Sequence, residues 1–201
     1  MTALRYRFRD LHARLHTRYV ADFVFVHINK TGGTSIERAL GLPFQHRTAA
    51  ELRRMVGTRR WRERFSFAFV RNPWDKVASH YRYRVKTNQT GLGSRRVGFE
   101  EWVRLAYGER DPRFYDQVRM FMPQVDWISE NGLIIVDFVG RFERIHEDFQ
   151  HVCAIVGRRA QLPHLKSSGR EDYRRLYSDE TAAIVARCFA RDLETFGYTF
   201  D

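Results

Sequence analysis

The chain is short of cysteine, of lysine and of long apolar runs, and each shortage removes a class of protein. Its two cysteines, Cys153 and Cys188, lie in apolar helical patterns with no CxxC and no cysteine–histidine cluster. A disulfide-stapled scaffold and a zinc module are thereby excluded, and the pair reads as small core residues of a reduced compartment. The eight histidines form no HExxH, so no metal is expected. No stretch approaches the roughly 20 apolar residues of a membrane helix. The first twenty-two residues carry Arg5, Arg7, Arg9, Arg14 and Arg18 without a continuous apolar run. They read as neither signal peptide nor anchor, and a cytoplasmic protein is expected. Lysine supplies 4 of the 35 basic residues and arginine 31, against 24 acids, for a net charge of +11. The arginine fork suits phosphate, sulfate and carboxylate. Nucleotides, acidic glycans or nucleic acid are therefore open as partners, as is a bland role in solubility.

What is present reads as one domain over 1–201, without internal repeats or low-complexity linkers. A helical arm over 1–22 would dock against the body through Leu4, Leu11, Leu15 and Tyr19. Phe23 to Ile28 and Phe65 to Val70 read as buried parallel strands, and Leu133 to Val139 as a third. Helices are expected from Thr34 to Gly41, after the Thr48–Glu51 capping box, from about Asp75 to Arg84, and over Ile145 to Val156. A last helix runs from Ser178 to the residues before Gly197. Strands alternating with helices predict an α/β fold, a central parallel sheet flanked by helices. From Lys86 to Arg113 the pattern decays among four glycines, as in lids and binding loops.

Two stretches carry chemistry. In FVFVHINKTGGTSIERAL a strand passes through Gly32-Gly33 into a helix, gathering backbone amides and the positive end of a helix dipole in one concavity. Lys30 precedes the glycines, whereas the loop of nucleotidases, GxxxxGK[ST], places lysine after them. ATP or GTP hydrolysis is therefore not the default. In FAFVRNPWDKVASHYRY, Arg71 ends a strand, Pro73 turns the chain, and Ser79 follows Arg71 by eight residues. An arginine fork with a returning hydroxyl suits a phosphate monoester. Ligands of open parallel sheets bind at this edge. Two such sites point to a nucleotide with phosphates on both sides of its ribose.

Together these stretches resemble the sulfotransferases that use 3′-phosphoadenosine 5′-phosphosulfate (PAPS). The likeness is to the carbohydrate group that includes heparan sulfate 2-O and chondroitin or dermatan enzymes and small bacterial relatives. VDFVGRFERIHEDFQHVC, LPHLKSS and DLETFGYTF also look like family segments, in the family's order, so the resemblance runs from about Phe23 to the C-terminus. Asn29 departs from the pattern, standing where proline is usual. The resemblance implies a P-loop-like sulfotransferase fold and PAPS as co-substrate, without a metal. Lys30, Thr31, Gly32, Gly33, Thr34 and Ser35 would grip the 5′ end, and Arg71 and Ser79 the 3′-phosphate. Lys166, Ser167, Ser168, Gly169 and Arg170 match a late loop that closes on the nucleotide. The acceptor would be a hydroxyl of a saccharide, possibly an anionic one, chosen with help from the 86–113 segment and its Trp102 and Tyr107.

Sulfuryl transfer needs a base for the acceptor proton, alignment, and stabilisation of the leaving phosphate. Lys30 and the amides of the glycine turn fit the last role. His46, before the capping box, matches the position of the family's histidine base. Glu37, Glu100 and Glu101 are weaker candidates. His27 reads as a core residue, and His80, His146, His151 and His164 as bystanders. The alternative reading is a non-catalytic basic module for nucleic acid or acidic glycan, although no recognition motif for nucleic acid is present. A kinase would need magnesium ligands that do not show in the sequence.

Overall fold

Runs of aromatic and β-branched residues need cover on both faces, and the two such runs near the N-terminus become neighbouring strands of one sheet. The computed structural model describes residues 3–163 and 172–200. The chain divides into two compact units, Met1–Val70 with Asp126–Lys166 and Arg71–Val125 with Ser167–Asp201.

In the first unit β1 (Phe23–Val26) and β2 (Phe65–Val70) pair in parallel, Phe23 opposite Phe65 and Phe25 opposite Phe67. A third strand, β5 (Phe138–Arg141), pairs in parallel with β2 through Phe67 and Phe138, giving the order β1-β2-β5. The expected central parallel sheet is present, and helices flank it. Phe25, Phe67 and Phe69 pack with Ile36 of α2 (Gly33–Leu40) and with Phe149 and Val152 of α8 (Ile145–Ile155). Gly140 lets Phe69 in, because a Cβ there would lie 2.6 Å from the ring. Thr48 and Glu51 cap α3 (Ala49–Val56) reciprocally, as the sequence expects. Beyond it, α4 (Thr58–Glu63) buries Trp61, whose indole donates to the Ile135 carbonyl at 3.2 Å.

In the second unit α5 (Pro73–Lys86) starts on the Asn72 cap, whose side chain accepts from the Trp74 amide, with proline at the first helical position. Its apolar face meets α6 (Phe99–Val103), α9 (Asp179–Cys188) and the residues around Phe121 in an aromatic core that includes Trp74, Trp102, Tyr107 and Phe189. A short α7 (Gln124–Ile128) returns the chain to the first unit, and α10 (Ala190–Phe196) follows α9.

Four expectations need correction. The third strand is not Leu133–Val139. Instead β3 (Ser129–Glu130) and β4 (Leu133–Ile134) form a small antiparallel hairpin, and Leu133 is 72% exposed. Asn131 and Gly132 both have positive φ, the Asn-Gly turn signature that reverses the chain before the sheet strand begins at Phe138. The N-terminal helix α1 (Ala3–Leu15) and its π-helical extension His16–Val20 bury Ala13 and Thr17, not the apolar face: Leu11, Leu15 and Tyr19 are exposed. The last helix is broken at Phe189, where φ −114° and ψ 22° leave the α region. Trp102 and Tyr107 cannot meet an acceptor, because both are buried in the core of their unit.

Candidate active site

The chain leaves β1 through His27, Ile28 and Asn29, all buried, and turns at Lys30. Lys30 adopts φ 68° and Gly32 φ 86°, so the turn contains a lysine in the left-handed region that side chains rarely adopt. The Thr31 hydroxyl braces it by donating to the Ile28 carbonyl at 2.9 Å. Strain of this kind concentrates at functional sites. Gly32 is the N-cap of α2, which has no side chain to satisfy the first-turn amides. Lys30 and Ser35 are half-buried and Thr34 is exposed, so the turn presents an ammonium, two hydroxyls and a helix N-terminus together.

The glycines answer a demand from beneath the turn. A Cβ on Gly33 would lie 2.0 Å from the His27 ring, and one on Gly32 would lie 2.4 Å from Ile145. His27 is thus a platform on which the turn rests. Burial and the neighbouring Lys30 charge press its pKa down to about 3, so the ring is neutral. Its Nδ1 lies 2.9 Å from the carboxylate of Glu37. Burial pushes Glu37 up to about 7, partly offset by the Gln45 amide, which donates to Glu37 at 3.1 Å, and by His46. Glu37 therefore ties the 43–46 loop to α2.

That loop carries His46. The two imidazole centroids of His46 and His27 are 4.3 Å apart, and His46 Nδ1 lies 2.9 Å from the His27 carbonyl oxygen. A carbonyl can only accept, so Nδ1 carries a proton, and when the ring is neutral Nε2 is its acceptor. Phe44 and Trp127 flank the ring edge-on at centroid distances of 4.8 and 6.0 Å. Next to Phe44 a shallow groove is lined by Phe8, Arg9, His12 and Pro43.

In the second unit Arg71 is nearly fully buried, and its guanidinium forms a two-point pair with Asp75, Nε to Oδ2 at 2.8 Å and an Nη to Oδ1 at 2.6 Å. Ser79 stands one turn beyond Asp75 on α5, so helix periodicity puts its half-buried side chain on the face that Arg71 addresses. The Arg71 backbone is held at both groups by Gln124: the amide donates to Oε1 at 2.9 Å and the carbonyl accepts from Nε2 at 2.8 Å. Asp192 in turn accepts from the Gln124 and Val125 amides, each at 2.8 Å, and from Gln124 Nε2 at 3.2 Å. Asp75, Gln124 and Asp192 escaped the sequence reading. Only Asp75, four residues past Arg71 on a helix, left a signal that could have been read. Lys166, Ser167, Ser168, Gly169 and Arg170 lie outside the described residues.

A model of the sulfotransferase family matches residues 15–199. The chain belongs to the sulfotransferase family. A protein of Archaeoglobus fulgidus, described as uncharacterized, is 28% identical over 126 residues, spanning 62% of this chain and 95% of that one. The crystal structure of a sulfotransferase from Alicyclobacillus acidocaldarius superposes with a TM-score of 0.49 at 17% identity, covering 89% of this chain and 96% of that chain. Membership makes sulfuryl transfer the general activity of this sulfotransferase and a hydroxyl-bearing molecule its general acceptor. Among its described residues no helix is long and apolar enough to cross a membrane, and no cluster of three or more His, Cys, Asp or Glu side chains is arranged to hold a metal.

Proposed function

We propose that this sulfotransferase moves the sulfuryl group of PAPS to a saccharide hydroxyl, with His46 as the base. The supporting observation is the contact of His46 Nδ1 with the His27 carbonyl, 2.9 Å, because it leaves Nε2 able to accept a proton beside the turn that bears Lys30. PAPS supplies an activated sulfuryl group on a phosphate leaving group. The donor set fits such an anion: an ammonium, two hydroxyls and helix amides at one turn, an arginine fork and a hydroxyl at the other station.

Lys30, Thr31, Gly32, Gly33, Thr34 and Ser35 take the 5′ end, and Arg71 with Ser79 takes the 3′-phosphate, where it shares the guanidinium with Asp75. His46 Nε2 removes the acceptor proton as the acceptor oxygen bonds to sulfur. Lys30 and the first amides of α2 meet the negative charge left on the phosphate oxygen once its bond to sulfur breaks. Phe44, whose ring lies 4.8 Å from that of His46, suits the apolar face of a sugar.

Adenosine 3′,5′-bisphosphate should raise the melting temperature far more than AMP, by the equivalent of about 2.7 kcal/mol at a hundredfold over its dissociation constant. Transfer of labelled sulfate from PAPS into a panel of glycans tests the acceptor. Equal shifts with both nucleotides and no labelled glycan would remove this reading.

A further inference from the structure

The N-terminal helix is docked by the face opposite its apolar one. Ala13 and Thr17, four residues apart, are 1% and 5% exposed. Phe8, Leu11, Leu15 and Tyr19, at spacings of three and four, are 64%, 52%, 48% and 59% exposed, and Val20 is 70% exposed. At 100° per residue Phe8, Leu11, Leu15 and Tyr19 form one stripe pointing away from the docked face. Soluble domains rarely leave such a stripe uncovered without use.

The flanks of the stripe say what covers it. Arg7, Arg14 and Arg18 fall on one side by helical angle and Arg9 on the other, and all four are exposed. At the far end Arg60 joins them, with the Arg18 and Arg60 guanidinium carbons 5.3 and 5.5 Å from the Tyr19 ring centroid. Asp10, the single acid between Arg5 and Val20, is paired with Arg14 and Arg47. A second copy of this helix would bring arginine against arginine, so self-pairing is opposed by like charge. An apolar stripe between cationic rims matches a bilayer whose surface is negative, where acyl chains take the stripe and phosphates take the guanidinium groups. We propose that α1 and its extension to Val20 form a docking surface for an anionic membrane, on which the protein lies without crossing it.

The test is flotation of the full chain with vesicles of phosphatidylcholine alone or mixed with phosphatidylserine. Binding to the mixed vesicles should be tighter by about tenfold or more and should weaken as salt rises. The double variant Leu11→Ser/Leu15→Ser should lose that binding while keeping its melting temperature, since both side chains are exposed. Should it fail to fold, Leu11→Trp provides the second reading: its fluorescence should be quenched by lipids brominated in their tails. No binding to mixed vesicles, equal binding by the double variant, or no quenching would overturn the proposal. So would a dimer in light scattering that the double variant dissolves, which would assign the stripe to a second copy.

Discussion

His46 donates from Nδ1 to the backbone carbonyl of His27, and the side chain of that same His27 carries the glycine turn. One residue therefore orients the candidate base through its backbone and supports the candidate anion turn through its ring. His46→Ala should lower kcat by about 10²- to 10⁴-fold, the usual worth of a general base. His46→Asn retains a donor for the carbonyl but no basic nitrogen, and should lose as much. Near wild-type turnover by either variant, measured by label transfer, would take His46 out of the chemistry.

Arg71 is the candidate anchor of the 3′-phosphate. Replacing it by alanine should weaken adenosine 3′,5′-bisphosphate by about 10- to 100-fold in calorimetry, the range of hydrogen bonds to a charged group. Ser79→Ala should cost less, since one neutral donor is lost. Adenosine 5′-phosphate should bind the Arg71 variant and the parent alike.

Gly33→Ala should destabilise although the substitution is small. Its Cβ would fall 2.0 Å from the His27 Cδ2, so either the ring or the turn must move. Overpacking of this kind costs about 1–3 kcal/mol. Urea unfolding reads the cost, and a turn displaced from its platform should also lose nucleotide binding.

Glu37 makes stability depend on pH. Its carboxyl is pushed up to about 7 in the fold from 4.5, so between those values the folded chain holds the extra proton, and stability falls as pH rises through that window. His27 acts in the opposite sense, with stability rising between about 3 and 6.5. The difference between the parent and Glu37→Gln separates the two. The variant should gain on the parent by about 3 kcal/mol between pH 4.5 and 7. A pH-independent difference in thermal melts would contradict the assigned proton.

Asp192 and Lys76 are both buried, and their charges attract one another. Burial raises the carboxyl and lowers the ammonium to about 8, and each charge offsets part of the other's shift. Asp192→Ala removes the acceptor for two backbone amides and leaves Lys76, 1% exposed, without its carboxylate. Denaturant titration should show a loss of about 3–5 kcal/mol, with Asp192→Asn recovering part of it. Because Gln124 transmits this hold to the Arg71 backbone, both variants should also weaken nucleotide binding.

The elements that were legible from the sequence are those whose cause is local. Phe65–Val70 declares itself by composition, Thr48–Glu51 by a capping box, and Gly41 by a left-handed cap, whereas the helix expected from about Asp75 starts two residues earlier on the Asn72 cap. Each is decided by residues a few positions apart. The Asn131-Gly132 hairpin was equally local, yet the apolar run from Leu133 to Val139 masked it.

The order along the chain of strands, glycine turn and Arg71-Asn72-Pro73 turn, and with it the membership of the sulfotransferase family, was written in short-range pattern. Tertiary structure alone decided that His27 joins Gly33 to His46, that Asp192 reaches back 68 positions to the Gln124 that holds Arg71, and that the helix at the N-terminus docks by Ala13 and Thr17. The physical reason is separation along the chain. Periodicity tells which face of a helix is apolar, but what that face meets depends on residues whose distance in sequence no local rule spans.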